Sequence, residues 1–196
     1  MGTAAALMPK KILLLAGWSA AGKDTLGRRL AGHGFTRFAF ADAVKDRAAE
    51  VYRFDRGLAD TEEGKRTVLV HVAAGFTVRD ALIRFGENEK VAHGKEVWSR
   101  RLAEAIAVAA AAGASRIVVT DWRFPEELVE LQRLLGGGVD LYPLRVTRPG
   151  QRVSPVASMT EYALSGFPMP VCPDATGDLK EVVAYLGLGL ELELST

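Results

Sequence analysis

The sequence predicts an α/β fold in which buried strands alternate with helices, and three observations carry that prediction. Short aliphatic runs recur between segments with helical periodicity, which is typical of strand–helix–strand units with a parallel sheet. A glycine-bracketed loop at residues 17–22 joins the first of these strands to a helix. Hydrophobic residues make up 48% of a chain of 196 residues, enough for a sizeable core. We therefore expect one domain, with a small inserted or mobile part.

Charge and cysteine content exclude several classes of protein. The formal net charge of +1 argues against general binding to nucleic acid polymers, so any recognition of phosphate has to be local. The lone Cys172 excludes an intramolecular disulfide and suits a reducing compartment. No apolar run reaches membrane-spanning length, and Met1–Met8 lacks the features of a signal peptide, so it is interpreted as a disordered leader. These observations predict a soluble, cytoplasmic protein.

The most informative stretch begins with a strand. Its aliphatic residues 12–15 predict burial on both faces. The loop that follows has the spacing Gly17-x4-Gly22-Lys23. Glycines let the backbone curl around an anion with its N–H groups inward, and the next helix presents its positive N-terminal end to the same anion. Lys23 then reaches the terminal phosphates as a mobile charge. Residues 17–25, with Ala20 and Ala21 among them, are therefore predicted to form a phosphate-binding loop.

Asp24 departs from the strict motif, which has Ser or Thr directly after the lysine to hold Mg²⁺. Thr25 comes one residue later. Either Asp24 binds the metal, directly or through water, while Thr25 bonds a phosphate, or the nucleotide shifts slightly. The alternative for the whole stretch is a glycine-rich turn that has no ligand. The strand and helix context, together with the spacing, favours the phosphate-binding interpretation.

A second strand is predicted at Phe35–Phe40, followed by a helix that Asp42 would cap. Ligands bind at the carboxyl ends of strands in open α/β sheets. Asp42 is therefore a candidate for contact with a base or sugar, and Lys45 for contact with a phosphate. A simple cap and a solvated lysine explain the two residues equally well, so both interpretations stay open.

The segment Phe54–Gly75 is polar and has no persistent period, which predicts an irregular, mobile excursion. The next helix begins at Thr77, whose spacing to Asp80 approximates a capping box. Arg79 in its first turn opposes the helix dipole. That placement indicates either a nearby anion or a salt bridge to Asp80 or Glu62.

A long helix is predicted over Lys95–Ala112, and Gly113 ends it. Trp98 follows the apolar spacing of this helix. At such a position a tryptophan is more often part of the core than a platform for stacking a base, but both roles are retained. Arg101 lies in the second turn of the same helix.

A third strand is predicted at Arg116–Thr120, directly before Asp121 and Arg123. An acidic residue that ends a buried strand is typical of the second metal-side element in enzymes with a phosphate-binding loop, so Asp121 is a candidate metal ligand and substrate contact. Arg123 is suited to grip a substrate phosphate with two hydrogen bonds. The alternative is a salt bridge between the two residues, and the functional interpretation is favoured. Pro125 then opens a helix that continues to residue 135.

The remaining chain contains two strands and a long loop. Leu141–Thr147 predicts the fourth strand. The loop 151–170, with Arg148 and Arg152 near its start, has the features of a lid that brings charges to a nucleotide on closure, or else is a surface loop. The other elements are a fifth strand at 171–172, a loop at 174–177 that includes Thr176, a helix at 178–188 and an edge strand or frayed end at 188–194.

Together these motifs resemble those of the deoxynucleoside monophosphate kinases found mainly in bacteriophages, within the wider nucleoside monophosphate kinase family. The resemblance extends in order over most of the chain, and the GKDT ending belongs to that family's pattern. Only the loop is specific by itself, and the order and spacing of the other pieces add to it. The matching pieces are GWSAAGKDT (17–25), FADAVKD (40–46), RDALIRFGENEK (79–90), VWSRRL (97–102), TDWRFPEE (120–127), RVTRPG (145–150) and SMTEYALSGFP (158–168).

The resemblance implies a three-layer P-loop NTPase fold with a five-stranded parallel sheet, a helical substrate-binding region and a mobile lid. It implies ATP with Mg²⁺ as the phosphoryl donor and a deoxynucleoside 5′-monophosphate as the acceptor. A phage-encoded enzyme of this kind would act in the host cytoplasm, and a homodimer is one option for its assembly. The expected parts of the single domain are a core at 10–53, 114–147 and 169–190, a substrate-binding region at 54–113 and a lid at 148–168.

The family's functional positions carry over residue by residue. The donor-phosphate loop matches Gly17, Gly22, Lys23, Asp24 and Thr25. The basic positions near the acceptor monophosphate match Lys45, Arg79, Arg101 and Arg123. The lid positions match Arg148 and Arg152, and a family glutamate matches Glu161. Residues 174–177 resemble the loop that borders the adenine, although the family's asparagine is missing there. Lys23, Arg123 and Arg148 are the expected catalytic residues.

Three other assignments keep the same loop. The chain could be a kinase of another small phosphorylated or hydroxylated metabolite, such as phosphomevalonate or dephospho-coenzyme A. It could also be a regulatory or scaffold module that binds ATP without turnover. An ATPase that acts on nucleic acid needs a basic surface, and the net charge of +1 argues against one. The accepted bases and the preference for deoxyribose do not follow from the residues.

Overall fold

The computed structural model describes residues 11–151, 162–172, 174–177 and 179. Its centre is a sheet of five parallel strands in the order β2-β3-β1-β4-β5, with helices on both sides, which confirms the predicted α/β fold. The strands are β1 Lys11–Ala16, β2 Thr36–Phe38, β3 Arg116–Val119, β4 Asp140–Val146 and β5 Val171–Cys172. The helices are α1 Lys23–Ala31, α2 Phe40–Tyr52, α3 Val78–His93, α4 Val97–Ala111 and α5 Pro125–Leu135.

The central position of β1 follows from its apolar side chains. All of its residues from Ile12 to Ala16 are buried, and successive side chains of a strand point to opposite faces of the sheet. On one face Leu13 and Leu15 join a core cluster with Leu26 and Leu30 of α1. Each fully buried leucine contributes about 1.5–3 kcal/mol. The loop that leaves β1 is therefore attached to the most firmly packed strand of the sheet.

The second strand is shorter than predicted. Residues Thr36–Phe38 pair with β3, which itself ends at Val119. Since no paired neighbour continues beyond that point, the chain leaves the sheet and α2 begins at Phe40. The prediction of a strand through Phe40 is wrong, and so is the prediction that Asp42 caps the helix, because Asp42 already lies in its first turn.

β4 carries a proline within its length. Pro143 is paired in register with Leu14 of β1, whereas β5 pairs only with Arg145 and Val146. At Pro143 the strand thus has its paired neighbour on one side, which is where a residue without an N–H group is tolerated. The predicted fourth and fifth strands are confirmed.

The chain divides into two compact units. The first comprises the residues up to Ala39 and those from Ala103 onward, and it contains the sheet, α1 and α5. The second comprises Phe40–Leu102 and contains α2 and α3. α4 begins in the second unit and continues into the first. The expected limits of the core, substrate-binding region and lid within a single domain stay a prediction.

The second unit has its own apolar clusters. One of them joins Ala48 of α2 to Phe85 of α3, and another includes Ala59, Leu69, Val78 and Ala81. The predicted excursion over 54–75 therefore contributes buried side chains, and it contains two short 3₁₀ helices at Arg56–Asp60 and Gly64–Arg66. Outside these two short helices the segment has the largely irregular backbone that was predicted, and its mobility stays a prediction.

The capping box predicted at the start of α3 is confirmed. The Asp80 backbone N–H donates to Thr77 Oγ1 at 3.2 Å, and the Thr77 backbone N–H donates to the Asp80 carboxylate at 2.9 Å. These two bonds satisfy N–H groups that the first turn of a helix leaves without partners. The pKa of Asp80 lies below its ordinary value, chiefly because its carboxylate accepts a hydrogen bond from the Thr77 hydroxyl and next because it accepts one from the Thr77 N–H.

Some predicted elements lie outside the described residues. They are the leader at residues 1–8, most of the loop 151–170, most of the helix 178–188 and the terminal segment 188–194. In the part of the chain that is described, no helix combines the length and the apolar character needed to cross a membrane.

Candidate functional site

The loop between β1 and α1 has a backbone that requires small residues. The φ angles are 141° at Gly17, 60° at Ala20 and 98° at Gly22, in a region that L side chains rarely adopt. A Cβ atom at Gly17 would lie 2.2 Å from the carbonyl oxygen of Val146 at the end of β4. The loop therefore passes β4 at a distance that only glycine permits, and it makes the tight turn in which backbone N–H groups converge on an anion.

Lys23 begins α1 and lies along this loop. Its Nζ donates to the carbonyl oxygens of Gly17 at 2.7 Å and Trp18 at 2.9 Å, which are among its contacts. Gly22 precedes the helix in a left-handed conformation and supplies no side-chain cap. The first N–H groups of α1 are therefore left for another acceptor. A cation and a helix N-terminus meet at one place, which is a favourable arrangement for phosphate.

An open cavity of about 550 Å³ lies over the loop and the start of α1. This volume is within the range of small-molecule sites. Except for Gly17, every residue predicted to bind the cofactor lines it: Ala20, Ala21, Gly22, Lys23, Asp24, Thr25, Arg148 and Thr176. Pro149, Asp174 and Ala175 complete the lining. The structure thus brings together residues from three distant parts of the sequence. Gly17 does not line the cavity, but it lets the backbone of the loop pass close to β4.

The wall formed by residues 174–177 is held by hydrogen bonds. Asp174 Oδ1 accepts from the Thr176 hydroxyl at 2.7 Å and from the Thr176 N–H at 2.8 Å. These bonds lower the pKa of Asp174, with a smaller effect from the nearby charge of Arg148. Arg29 on α1 donates to the carbonyl oxygens of Ala175 at 2.6 Å and Gly177 at 2.7 Å. A Cβ at Gly22 would lie 2.8 Å from Ala175 Cβ, so this wall lies close against the phosphate-binding loop.

Asp24 and Thr25 are the candidate metal ligands in the cavity. Asp24 exposes 74% of its side chain, and its carboxylate lies 3.4 Å from Nη2 of Arg37. Within the described ranges no group of three or more His, Cys, Asp or Glu side chains is arranged to hold a metal. Mg²⁺ in nucleotide sites takes one or two protein ligands and completes its shell with phosphate oxygens and water. An oxygen pair of this kind therefore fits a Mg²⁺ ion that arrives with its nucleotide.

The segment after β3 lies beside the end of β1. The Trp122 backbone N–H donates to the Leu15 carbonyl oxygen at 3.2 Å, so Asp121 and Arg123 flank a contact with the strand that leads into the phosphate-binding loop. Arg123 is exposed and Asp121 is half-buried. Neither residue lines the 550 Å³ cavity. Their roles with metal and substrate stay predictions.

Glu127 organises the same segment and was not predicted as a site residue. Its Oε2 accepts from the backbone N–H groups of Arg123 at 3.0 Å and Phe124 at 3.1 Å. Burial raises the pKa of Glu127 to about 7, against the lowering effect of these two bonds, and the charge of Asp121 adds to the increase. Glutamate two residues after Pro125 is a sequence signal for a helix start, but burial of its carboxyl group is not visible in the sequence.

In the second unit, two predicted substrate-binding residues belong to an ion-pair cluster around Arg56. Lys45 Nζ lies 2.9 Å from Asp60, and Arg56 contacts Asp60 at 2.9 Å and Asp46 at 2.5 Å. Asp42 is 3.8 Å from Arg56. Burial of Asp60 opposes ionisation, but the hydrogen bonds from Lys45 and Arg56 lower its pKa overall. Lys45 is therefore paired instead of freely solvated.

The other predicted substrate-binding residues of this unit also have protein partners. Arg79 lies 2.6 Å from Glu62, which is one of the two explanations offered for a cation in the first turn of α3. Trp98 is 7% exposed and packs on Phe85 with ring centroids 6.2 Å apart, as a core residue does. Arg101 Nη2 lies 3.4 Å from Glu89.

Two described residues of the predicted lid contact the phosphate-binding loop. Gln151 Nε2 donates to the Ser19 carbonyl oxygen at 2.7 Å, and Tyr162 stacks edge-on against Trp18 with ring centroids 4.8 Å apart. Arg148, one of the predicted lid residues, is exposed at the cavity. The other two, Arg152 and Glu161, lie outside the described residues.

Comparison with known proteins gives similarity at the level of solved structures only. No protein-family model matches the chain, and the comparison with curated proteins gives no match. A sugar kinase from Janibacter sp. HTCC2649 is similar at 15% identity with a TM-score of 0.45, over 92% of this chain and 96% of that one. A protein from Chloroflexus aurantiacus that is assigned as a kinase has 16% identity and a TM-score of 0.49, over 93% and 96% of the two chains.

The APS kinase of Mycobacterium tuberculosis is similar at 16% identity with a TM-score of 0.36, over 81% of this chain and 94% of that one. Similarities at this level do not identify a reaction or a substrate for this chain. Its function has to be argued from its own loop, cavity and charges.

Proposed function

We propose that the protein is an ATP-dependent kinase that transfers the γ-phosphoryl group of ATP to a deoxynucleoside 5′-monophosphate, giving the diphosphate and ADP. The observation that supports this most is the cavity over the phosphate-binding loop. Its lining combines the helix N-terminus, Lys23 and Arg148 with the loop 174–177. Positive groups beside the loop, and a wall whose Asp174 carboxylate is hydrogen-bonded to Thr176, are suited to a nucleoside triphosphate.

On the donor side, the residues would have separate roles. The loop backbone between Gly17 and Gly22 would bind the phosphates through N–H groups, and Lys23 would exchange its carbonyl partners for phosphate oxygens. Arg148 would neutralise charge on the transferred group, and Arg123 would do so from the segment after β3. Asp24 and Thr25 would hold Mg²⁺, with Asp121 as a further ligand. A bound metal ion would supply positive charge that offsets the negative charge of the phosphates.

The acceptor needs positioning instead of a general base. A 5′-phosphate oxygen is already anionic at neutral pH, so the barrier comes from repulsion between the phosphates and from their alignment. Positively charged side chains reduce this repulsion and hold the phosphates in line. In this proposal Lys45, Arg79 and Arg101 bind the acceptor phosphate, Asp42 contacts the base or sugar, and Trp98 and Glu161 complete the acceptor site, Trp98 from its position in the core of the second unit.

Arg101 has a feature that favours an anionic ligand. Its Nε is buried and has no hydrogen-bond partner among the described residues. A buried donor without an acceptor costs about 1–3 kcal/mol, and an oxygen of a bound phosphate would remove that cost. We assign the acceptor region to residues 54–113 and the lid to 148–168, and we expect a cytoplasmic enzyme, with a homodimer as an option.

A panel of acceptors tests the proposal. ADP formation from ATP and Mg²⁺ is measured with each of the four common deoxynucleoside monophosphates, with dUMP and with the corresponding ribonucleotides. Stimulation of ADP formation by at least one deoxynucleoside monophosphate is the expected result. Stimulation only by phosphomevalonate or dephospho-coenzyme A would move the assignment to another small-molecule kinase. ATP binding without stimulation by any acceptor would indicate a regulatory module.

A further inference from the structure

One charged residue on α1 is bonded to the cavity wall that residues 174–177 form beside the phosphate-binding loop. Arg29 is two turns along the helix from Lys23, and its guanidinium donates to the Ala175 and Gly177 carbonyl oxygens at 2.6 and 2.7 Å. We propose that Arg29 is a positioning residue that sets the affinity for the nucleoside part of the donor nucleotide. This inference rests on the proposed function, because it assumes a nucleotide in the cavity.

The geometry of the two bonds makes Arg29 suited to this task. A guanidinium has a planar fork of donors, and here both of its terminal nitrogens are used, each on a different carbonyl of the same turn. Hydrogen bonds from a charged donor are about twice as strong as neutral ones. The helix that carries Arg29 is itself fixed, because Leu26 and Leu30 are buried in the core cluster. The turn is thereby attached to a helix that is itself held in place by the core.

The rest of the turn is held mainly by bonds within itself. Asp174 bonds to Thr176, and the Gly177 N–H donates to the Asp174 carbonyl oxygen at 3.2 Å. Such bonds preserve the shape of the turn, and Ala175 is in addition buried in the core cluster that includes Leu26 and Leu30 of α1. Among the described residues, the hydrogen bonds that join the turn to α1 are those of Arg29. Removing them would leave the packing of Ala175 to hold the turn against α1, and would let Asp174 and Thr176, which line the cavity, change their positions.

The consequence for binding is specific to one end of the ligand. The phosphates would still meet the loop, the helix N-terminus and Lys23, none of which depends on Arg29 for a hydrogen bond. The nucleoside would meet a displaced wall. A change at Arg29 should therefore weaken a complete nucleotide far more than a bare polyphosphate chain, which is a difference that general destabilisation of the fold would not produce.

The test compares Arg29→Gln with Arg28→Gln, a change of the neighbouring and exposed arginine on the same helix. Binding of ATP and of inorganic tripolyphosphate is titrated by calorimetry, and kcat and KM for ATP are measured with an accepted monophosphate. Arg29→Gln is expected to weaken ATP binding and raise KM about tenfold, with less than twofold changes in tripolyphosphate binding and kcat. Arg28→Gln is expected to match the unmodified protein.

Arg29→Lys provides a second variant that keeps the charge but loses the fork. The lysine should reach one of the two carbonyl oxygens and recover part of the ATP affinity. If Arg29→Gln does not fold, Arg29→Lys takes its place as the test variant. Equal losses for ATP and tripolyphosphate, or ATP binding by both Arg29 variants that equals that of Arg28→Gln, would overturn the inference while leaving the kinase proposal intact. Failure of the unmodified protein to bind ATP would instead refute the proposed function, and the inference with it.

Discussion

The phosphate-binding loop and the charged cluster of the second unit present positive charge in different ways. In the loop, the backbone is shaped by residues at positive φ, and the helix N-terminus needs no side chain to be positive. In the second unit, Lys45, Arg56 and Arg79 are cations held by carboxylates at 2.5–2.9 Å. In the first region the helix N-terminus is ready for an anion as it stands, although Lys23 would have to release its carbonyl partners. In the second region the cations would have to release charged carboxylates.

This difference has an energetic consequence. Backbone dipoles preorganised around an empty space lose little when an anion enters. An ion pair that opens to receive a phosphate must first give up its own attraction, although at exposed sites that is about 1 kcal/mol or less. We therefore expect substitutions in the loop to have large effects, and those in the exposed pairs of the second unit to have small effects on stability.

The largest effect is expected for Gly17→Ala. The new Cβ would meet the Val146 carbonyl oxygen at 2.2 Å, at a φ of 141°, and overpacking and backbone strain together cost about 4 kcal/mol. Chemical denaturation measures the loss of stability, and ATP titration should show loss of binding. Gly34→Ala is a matched control, because Gly34 also has positive φ, at 83°, but has nothing within 4 Å of the added Cβ. Equal effects of the two changes would contradict the close approach of the loop to β4.

The pH dependence of stability should differ between Glu127 and Asp60. Burial raises the folded-state pKa of Glu127 from 4.5 to about 7, so its contribution to stability is fully present below about pH 4.5 and is lost as the pH rises through 7. The integrated effect is up to about 3 kcal/mol. The contribution of Asp60 to stability depends on pH in the opposite direction. Because the pKa of Asp60 is lowered in the folded state, its contribution is present at neutral pH and is lost when the pH falls below 4.

Glu127→Gln isolates the first of these effects. The amide oxygen can still accept the two backbone N–H groups that Oε2 accepts now, but the side chain no longer titrates. Denaturation at pH 5, 6, 7 and 8 should show a decline in stability for the unmodified protein that Glu127→Gln lacks. Glu126→Gln, at the exposed neighbouring position, should keep the decline. Parallel curves for the unmodified protein and Glu127→Gln would show that burial does not raise the pKa.

Lys23→Ala should lower kcat at least tenfold, which corresponds to about 1.4 kcal/mol of transition-state stabilisation or more. The reason is that Lys23 is a cation at the start of α1 and in the lining of the cavity, where it would neutralise charge on the transferred phosphoryl group. Steady-state kinetics with saturating ATP measures the change, with Arg28→Ala on the exposed side of α1 as the control. A folded Lys23→Ala variant with unchanged kcat would count against the kinase assignment.

The smallest effect on stability is expected for Arg79→Gln. The pair with Glu62 is largely exposed, with 48% and 68% of the two side chains accessible, so its loss should cost less than about 1 kcal/mol. Measuring the KM for the acceptor in the same variant distinguishes a role of Arg79 in substrate binding from a role in the fold. A rise in that KM with unchanged stability is the expected outcome, and a large loss of stability would mean that Arg79 serves the fold of the second unit.

The sequence was sufficient to predict features that depend only on the order of a few neighbouring residues. The spacing Gly17-x4-Gly22-Lys23, the aliphatic run of β1 and the Thr77–Asp80 capping box all act over a few neighbouring residues, and the structure has the loop turn, the buried strand and the cap. The end of β2 could not be predicted in the same way, because it depends on where its neighbour β3 stops.

Sequence alone determined that a glycine-bracketed loop joins a buried strand to a helix, since backbone freedom at glycine and strand-to-helix order are local properties. Tertiary structure decided which distant groups join that loop. Arg29 and Arg28 are indistinguishable in the sequence, yet only Arg29 reaches the carbonyls of Ala175 and Gly177. Glu127 and Glu126 are equally ordinary in the sequence, yet Glu126 is exposed, whereas burial of the Glu127 carboxyl group raises its pKa. Packing chooses between such neighbours because a helix turns each side chain in a different direction.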